Sequence, residues 1–298
     1  MKRRPGVIVT VPPHATFVGE VARHPVVAGL RLNTVMPVKG ELRDALAGLA
    51  AHGKPLWIDL KGRQLRVAAA AVPPFTAVEL SHRIAVRTPT VALFGSGREA
   101  ARVLAVDGRR LILEDGPRRV VGPGESVNIP DPTLEVEGLL TARDEEYVRA
   151  ARALGLHDYM LSFAEREEDL AAVRALDPEA RLVAKLESPA GLELAARRPP
   201  GTRLMAARGD LYLELARPHQ VLGAVRRILA ADPEAIVASR LLDGLAWEPE
   251  PRCAEIGDLA WLLAVGCRTL LLGDEVCLRR ESVLAALNLI EAVAAEAP

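Results

Sequence analysis

Short apolar runs alternate with longer amphipathic stretches along most of the chain. The runs cover residues 7–11, 26–32, 56–60, 159–161, 181–186, 203–206, 235–238 and 269–272. Each is near strand length, and several are rich in Val, Ile and Leu, as strands buried on both faces are. Between most of them apolar positions recur at helical spacing, over residues 40–52, 143–154, 165–176, 218–231 and 255–265. Eight strand–helix units in order predict an α/β fold, a closed parallel (β/α)8 or TIM barrel. A last helix over residues 281–295 seals it.

The alternation breaks once. From Val67 to Asp131 the chain reads as short β segments broken by glycines and charges. Asp107-Gly108 and Asp115-Gly116 are hairpin signals. Helical spacing shows only around residues 97–103. The reading is a small all-β domain, residues 67–131, inserted after the third strand of a barrel made of residues 1–66 and 132–298. In such barrels the loops after the strands surround the site. An insertion there predicts a lid, or else a decorated loop without a catalytic part.

Composition narrows the class. Half of the 298 residues are hydrophobic, enough for a sizeable core. The formal net charge of −1 argues against a general nucleic-acid binder. Cys253, Cys267 and Cys277 have no paired spacing and read as free thiols in a reducing compartment. The start is basic and then apolar, but Pro5, Pro12 and Pro13 interrupt it, and no run reaches spanning length without charge. The expectation is a soluble cytoplasmic protein with no membrane segment. A homo-oligomer is compatible with a barrel, and Trp247 and Trp261 read first as core residues. Among 38 basic residues only five are lysines: Lys2, Lys39, Lys54, Lys61 and Lys185. Where Arg is the default cation, a retained lysine is either a chance survivor or the mark of a place where Arg does not fit, and Lys61 and Lys185 both end predicted strands.

The active site of a barrel lies at the carboxyl ends of its strands. There the chain places Thr10, Arg31 and Asn33, Asp59 and Lys61 with Arg66 beyond, Ser162, Lys185 and Glu187, Gly209 and Asp210, Ser239 and Arg240, and Asp274 and Glu275. Lys185 and Glu187 are two apart and share a face. Asp210 ends the next strand. Two carboxylates on neighbouring strands suit Mg²⁺ or Mn²⁺, whose remaining positions are filled by water and substrate oxygens. The alternative is a local ion pair between Lys185 and Glu187. The few histidines lack zinc spacing. Gly209 ahead of Asp210 lets backbone N–H groups approach an anion, and Arg31 adds positive charge for a carboxylate or phosphate.

The order of these motifs resembles the pyruvate kinase family over nearly the whole chain. VIVTVPP resembles that family's opening strand, AGLRLN its phosphate-binding strand, IDLKGRQLR its Asp-Thr-Lys-Gly-Pro-Glu-Ile-Arg segment, and VNIPDP the exit from its lid domain. LTARDEEYVRAARALGLHDYMLSF resembles the helix and strand that follow. AKLESPAG and MAARGDLYLEL are the most specific, resembling Lys-Ile-Glu-Asn and Met-Val-Ala-Arg-Gly-Asp-Leu-Gly. IVASRLLDGL and AEIGDLAWLLAVGCRTLLLGDE resemble the last two strands and their helix. The resemblance implies that Lys185 stabilises the transferring phosphoryl group and the enolate oxygen. It implies Glu187 and Asp210 as metal ligands, Arg31 as a phosphate contact, and Ser239 in place of a threonine on the proton path. Arg66 resembles an arginine near the nucleotide, and Asp59 with Asn33 half of a monovalent-cation site.

Departures are as informative. Val35 and Leu60 stand where the family has a serine and a threonine, so a potassium requirement is not expected. Met36 replaces a histidine near the nucleotide, Tyr212 a glycine beside the carboxylate-binding turn, and Glu165 a basic residue. Pro251-Arg252-Cys253-Ala254-Glu255 replaces Pro-Thr-Arg-Ala-Glu. The lid is short, and the sequence ends after the barrel's last helix, so family-type allosteric control is not expected. Three functions remain open. The first is pyruvate kinase-like phosphoryl transfer among phosphoenolpyruvate, pyruvate, ADP and ATP, a glycolytic step. The second is a metal-dependent lyase or aldolase acting on pyruvate or a related 2-oxo acid through an enolate. The third is non-catalytic binding of phosphate-bearing metabolites.

Overall fold

Residues of alternating orientation in each apolar run have two surfaces to satisfy, and a closed sheet wrapped in helices buries both. The computed structural model describes residues 4–197 and 199–296; Lys2 lies outside them. Strands β1 (Gly6–Thr10), β2 (Val27–Asn33) and β3 (Leu56–Leu60) open the barrel. Seven strands intervene: β4 (Ala77–Glu79), β5 (Ile84–Ala85), β6 (Thr90–Phe94), β7 (Glu99–Asp107), β8 (Arg110–Leu113), β9 (Val127–Asn128) and β10 (Glu135–Val136). The barrel resumes with β11 (Asp158–Leu161), β12 (Arg181–Leu186), β13 (Thr202–Ala207), β14 (Ile236–Ala238) and β15 (Thr269–Leu272). Its eight strands close in the order β1-β15-β14-β13-β12-β11-β3-β2, all parallel. The predicted runs coincide with these strands to within one or two residues.

Helices α1 (Val18–Arg23) and α2 (Leu42–Ala50) follow the first two strands. Then come α3 (Ala142–Arg152), α4 (Glu167–Leu176), α5 (Pro189–Arg197), α6 (Arg208–Glu214) and α7 (Gln220–Ala231), and a 3-10 turn at Asp243–Ala246. α8 (Cys253–Ala264), α9 (Asp274–Cys277) and α10 (Arg280–Glu296) complete the ring. None of these helices is long and apolar enough to cross a membrane. α1, α5, α6 and α9 carry no helix expectation from the pattern, because each is short and begins straight off a strand or turn.

The barrel has two apolar layers. Leu30, Leu32, Ile58, Leu60, Leu161, Ala184 and Leu186 face the helices. Ile8, Met160, Val183, Met205, Ile236 and Leu271 fill the interior, with Trp57 against them. The period of two then decides the mouth. Two residues beyond the interior layer on β1, β3 and β12 come Thr10, Asp59 and Lys185, all buried but polar. The interior is closed below by hydrocarbon and lined above by charge.

β4 to β10 build a separate antiparallel arrangement, a five-stranded sheet in the order β4-β8-β7-β6-β9 and a two-stranded pair β10-β5. It has its own core, which includes Val78, Leu80, Phe94, Val103, Leu111, Leu113 and Ile129. Asp107-Gly108 does turn the β7–β8 hairpin, with Gly108 at φ +61°. Two expectations fail here. Residues 97–103 are not helical, since β7 begins at Glu99 and its apolar side chains alternate against Leu111 and Leu113. Asp115-Gly116 joins no hairpin; a Cβ on Gly116 would sit 2.7 Å from the Phe75 carbonyl oxygen, so this glycine allows a close backbone crossing. A third correction lies in the barrel: Trp247 is 75% exposed beside the 3-10 turn and belongs to no core. Trp261 is half-buried and packs against the barrel's outer core, under Arg226.

Candidate active site

A cavity of ≈ 450 Å³ opens at the carboxyl ends of the strands. Its lining includes Arg31, Asn33, Lys61, Arg66, Lys185, Glu187, Gly209, Asp210 and Ser239. Of the ten residues to which the sequence pattern and the resemblance give a part in the site, nine therefore meet in one place. The tenth, Asp59, lies directly beneath them and holds the floor together.

Asp59 is fully buried. Its Oδ2 accepts from Arg31 Nε at 3.0 Å, from a second Arg31 nitrogen, and from Lys61 Nζ at 2.9 Å. Its Oδ1 lies 3.2 Å from Lys185 Nζ. Burial alone would raise its pKa, but Arg31, Lys185 and Lys61 outweigh that and hold it well below the ordinary carboxylate range. The remaining Arg31 nitrogen donates to Thr10 Oγ1 and to Asp274 Oδ1, both at 2.8 Å. Asn33 Nδ2 donates to Asp274 Oδ2 at 2.6 Å. Asp59 and Asn33, read as half of a cation site, are thus engaged by Arg31, the lysines and Asp274. Leu60 faces the helix layer rather than the mouth.

The turn after β3 is fixed from outside. Gly62 has φ +49°, and a Cβ there would stand 2.7 Å from the Ser162 carbonyl oxygen. The Lys61 N–H donates to Asp144 Oδ1 at 2.8 Å. Asp144 also closes the capping box of α3 with Thr141. Lys61 therefore projects from a rigid turn. Burial, then the charges of Lys185, Arg66 and Arg31, press its pKa down to about 7 against the pull of Asp59.

Lys185 donates to Ser162 Oγ at 2.7 Å and lies 3.2 Å from Glu187 Oε1. Burial works against its charge, but Asp59, Glu187 and Asp210 raise its pKa above the usual value. The local Lys185–Glu187 ion pair is thus present, and it is part of the larger cluster. Glu187 follows β12 by one residue, and its Oε2 accepts the Phe163 N–H at 2.8 Å. Burial and the nearby Asp210 charge push Glu187 up to about 7, although Lys185 and the Phe163 N–H act the other way. Asp210 sits in the first turn of α6. Its oxygens accept from Gln64 Nε2 and Asn128 Nδ2, each at 3.0 Å. Asn128 also donates to Glu214, which burial pushes up to about 7.

The donor set fits a hard divalent cation. Glu187 and Asp210 offer carboxylate oxygens in one cavity, and their mutual repulsion is charge that a cation would offset. Among the described residues no group of three His, Cys, Asp or Glu is placed to hold a metal ion. Two protein ligands plus substrate oxygens is therefore the fitting arrangement.

On the far wall, Ser239 and Arg240 adopt positive φ values of +66° and +51°. Neither is glycine, so something must hold them. Arg208 does. Its Nε donates to the Ser239 carbonyl at 3.1 Å and one terminal nitrogen to the Arg240 carbonyl at 2.8 Å. Both terminal nitrogens bind Asp258 of α8, at 2.7 and 2.9 Å. A Cβ on Gly209 would lie 3.2 Å from Ser239 Cβ, so this wall closes on bare backbone. Tyr212 does not line the cavity; it lies under Arg240, with the guanidinium 4.1 Å from the ring centre. Arg66 donates to the Gly124 carbonyl at 2.6 Å and to Gln64 at 2.5 Å, and its Nε is buried without a partner.

Sequence reasoning assigned no role to Gln64, Asn128 or Asp258. Gln64 had a signal in its place within IDLKGRQLR. Asn128 and Asp258 likewise lie within VNIPDP and AEIGDLAWLLAVGCRTLLLGDE, but only the fold shows what they bind, partners 82 and 50 residues away.

Residues 85–278 match the family described as "Pyruvate kinase, barrel domain". The chain is 33% identical over 190 residues to the pyruvate kinase of Agrobacterium vitis, covering 61% of this chain and 39% of that protein. It is 30% identical over 189 residues to that of Thermoplasma acidophilum, covering 60% and 34%. It is 29% identical over 181 residues to that of Thermotoga maritima, covering 57% and 38%. The chain spans between about a third and two fifths of the length of these relatives. With a parallel eight-stranded barrel, a matched region covering well over half of its length and charge gathered at the strand ends, the chain belongs to the pyruvate kinase family.

Proposed function

We propose that this chain transfers a phosphoryl group between phosphoenolpyruvate and a nucleoside diphosphate at the barrel mouth. The observation that carries the reading is the buried Lys185, kept charged by Asp59 and Glu187 and open to the same cavity as Asp210. In the forward direction the bond between phosphorus and the enol oxygen breaks and one to the terminal diphosphate oxygen forms. The enolate then takes a proton at its methylene carbon, giving pyruvate. Lys185 stabilises charge on the enol oxygen and the moving phosphoryl group. Arg31 supports the phosphoryl oxygens from the floor. Ser239, fixed by Arg208, delivers the proton. Asn33, Lys61, Arg66 and Gly209 surround the substrate and nucleotide. Glu187 and Asp210 hold Mg²⁺ or Mn²⁺, which when bound offsets charge on the phosphoryl and carboxylate oxygens.

In this reading residues 67–131 form a lid over a barrel made of residues 1–66 and 132–298. Contacts from the insert onto Asp210, and from Arg98 onto Glu275 at 2.7 Å, support it. Turnover proceeds without potassium, since Arg31, Lys61 and Lys185 already occupy the oxygens of Asp59. A cytoplasmic glycolytic role goes with the same chemistry. One observation favours a second reading, an enolate lyase or aldolase that uses no nucleotide. Arg66, on the nucleotide side, is tied to Gln64 and Gly124, while the Lys185 centre faces open cavity.

The test is pyruvate formation from phosphoenolpyruvate with Mg²⁺ and ADP, GDP, UDP or CDP, beside calorimetric binding of oxalate, an enolate mimic. Pyruvate release dependent on one diphosphate is expected. Oxalate binding without turnover on any of the four would sink phosphoryl transfer. Exchange of solvent deuterium into the pyruvate methyl group without nucleotide would then support the second reading.

A further inference from the structure

The cations that line the cavity are not equally occupied. Arg31 is bonded to Asp59, Asp274 and Thr10, Lys61 to Asp59, and Lys185 to Asp59, Glu187 and Ser162. Arg98 pairs with Glu275, and Arg66 bonds Gln64 and a carbonyl. Arg240 differs. Among the described residues its guanidinium makes no hydrogen bond or ion pair, and Asp243 feels its charge only at a distance. It is exposed, it lines the cavity, and the Tyr212 ring lies beneath it at 4.1 Å. An aromatic face holds a guanidinium in place while leaving its N–H edge free to bind. The backbone is fixed as well, since Arg208 clamps the Arg240 carbonyl and the residue sits at φ +51°. A free, oriented guanidinium over a cavity, on a strained and clamped backbone, is built to meet an anion.

Its position says which anion. Arg240 adjoins Ser239 on the wall opposite Arg31 and Asp59. In the proposed reaction, Ser239 serves the carbon that gains the proton, and the phosphoryl and carboxylate oxygens lie toward Lys185 and the metal ligands. With those oxygens placed there, a group that hangs from that carbon is the part of the substrate that points to Arg240. Phosphoenolpyruvate and pyruvate carry nothing there.

We propose that the preferred substrate is a 2-oxo acid, or its enol phosphate, bearing a second carboxylate on a side chain at the protonated carbon, and that Arg240 on Tyr212 reads this carboxylate. The inference rests on the placement of the enolate beside Ser239 given above.

Calorimetry with Mg²⁺ at constant ionic strength tests it with two matched pairs. Oxaloacetate is compared with 2-oxobutanoate, and 2-oxoglutarate with 2-oxopentanoate; each pair exchanges a carboxylate for a methyl group. In at least one pair the dicarboxylate should bind tenfold or more tighter, the scale of one charge-assisted contact. Arg240→Gln should erase that preference and Arg240→Lys keep part of it. Tyr212→Gly should weaken it by freeing the guanidinium. Oxalate has no such side chain and reports the centre itself. If wild type binds oxalate but each pair binds alike, or the preference survives Arg240→Gln, the Arg240 inference is overturned and the reading of the centre stands. If wild type fails to bind oxalate, both fall.

Discussion

Lys185 and Asp59 meet at 3.2 Å beneath the barrel mouth, from strands separated by β11. Both are almost fully buried. Their pairing lets a cation persist in the interior, because a buried charge without a partner is far costlier than a buried pair. It also explains why the cluster is larger than one pair: Asp59 serves three cations and Lys185 serves two carboxylates.

Lys185→Met tests this at the level of chemistry. The substitution preserves length and apolar packing but removes the charge facing the cavity. Pyruvate formation should fall by about 10²–10³-fold, the effect of deleting one preorganised electrostatic group at a transition state. Circular dichroism should stay native. Turnover within threefold of wild type would show that Lys185 only neutralises Asp59 and Glu187.

The two lysines of the cluster should part company with pH. Burial and three neighbouring cations press Lys61 to about 7, whereas Asp59 and Glu187 raise Lys185 despite burial. With five lysines in the chain, ¹³C labelling at Cε gives few signals. In metal-free protein one of them should titrate near 7 and vanish in Lys61→Met. The signal lost in Lys185→Met should not move below pH 10. The linkage sign follows. Lys61 is neutral in the folded state and charged in the unfolded state between about pH 7 and 10, the latter being its ordinary value. Its burial therefore costs stability most fully below pH 7, and the cost fades as pH rises toward 10. No lysine titrating below 9 would refute the electrostatic account of the cluster.

The barrel was legible because its strands carry two signals at once, strand-length apolar runs and polar residues at their carboxyl ends. IDLK and AKLE even show the inward alternation, with Asp59 and Lys61, and Lys185 and Glu187, two apart. What stayed hidden lacked a local signature. α6 starts directly off β13, so Gly209 and Asp210 read as the end of that strand although they form a helix's first turn. The left-handed backbone of Ser239 and Arg240 is invisible in residues that rarely adopt it, and it exists because Arg208 and Asp258 hold it. Residues 97–103 look helical only when the partner strand that β7 needs is not in view.

Gly209→Ala separates positioning from folding. A methyl group there lies 3.2 Å from Ser239 Cβ, so Ser239 must yield by a few tenths of an ångström. Alanine is also the better helix residue, by about 0.5–1 kcal/mol, so the melting temperature should hold or rise. Turnover should nonetheless drop by about tenfold, with KM changing less than kcat, since sub-ångström misplacement of a reacting group is enough. Unchanged kcat with the fold intact would remove Ser239 from the proton path.

Asn128→Asp probes the proposed metal site at Glu187 and Asp210. Asn128 is buried, and its amide donates to both Asp210 and Glu214. An introduced carboxylate can donate to neither when ionised, and it adds a third negative charge beside two others. Without divalent cation the variant should lose about 3 kcal/mol of stability, the scale of a buried charge left unpaired. Mn²⁺ should restore much of that loss, because a ligand that binds only the folded state stabilises it in proportion to its affinity. Asn128→Ala loses the same hydrogen bonds without adding charge, so Mn²⁺ should raise its melting temperature no more than that of wild type. The comparison is thermal melting of the three proteins across a Mn²⁺ series. An equal Mn²⁺ response in all three would mean that no cation sits beside Asp210, and the assignment of Glu187 and Asp210 as its ligands would be wrong.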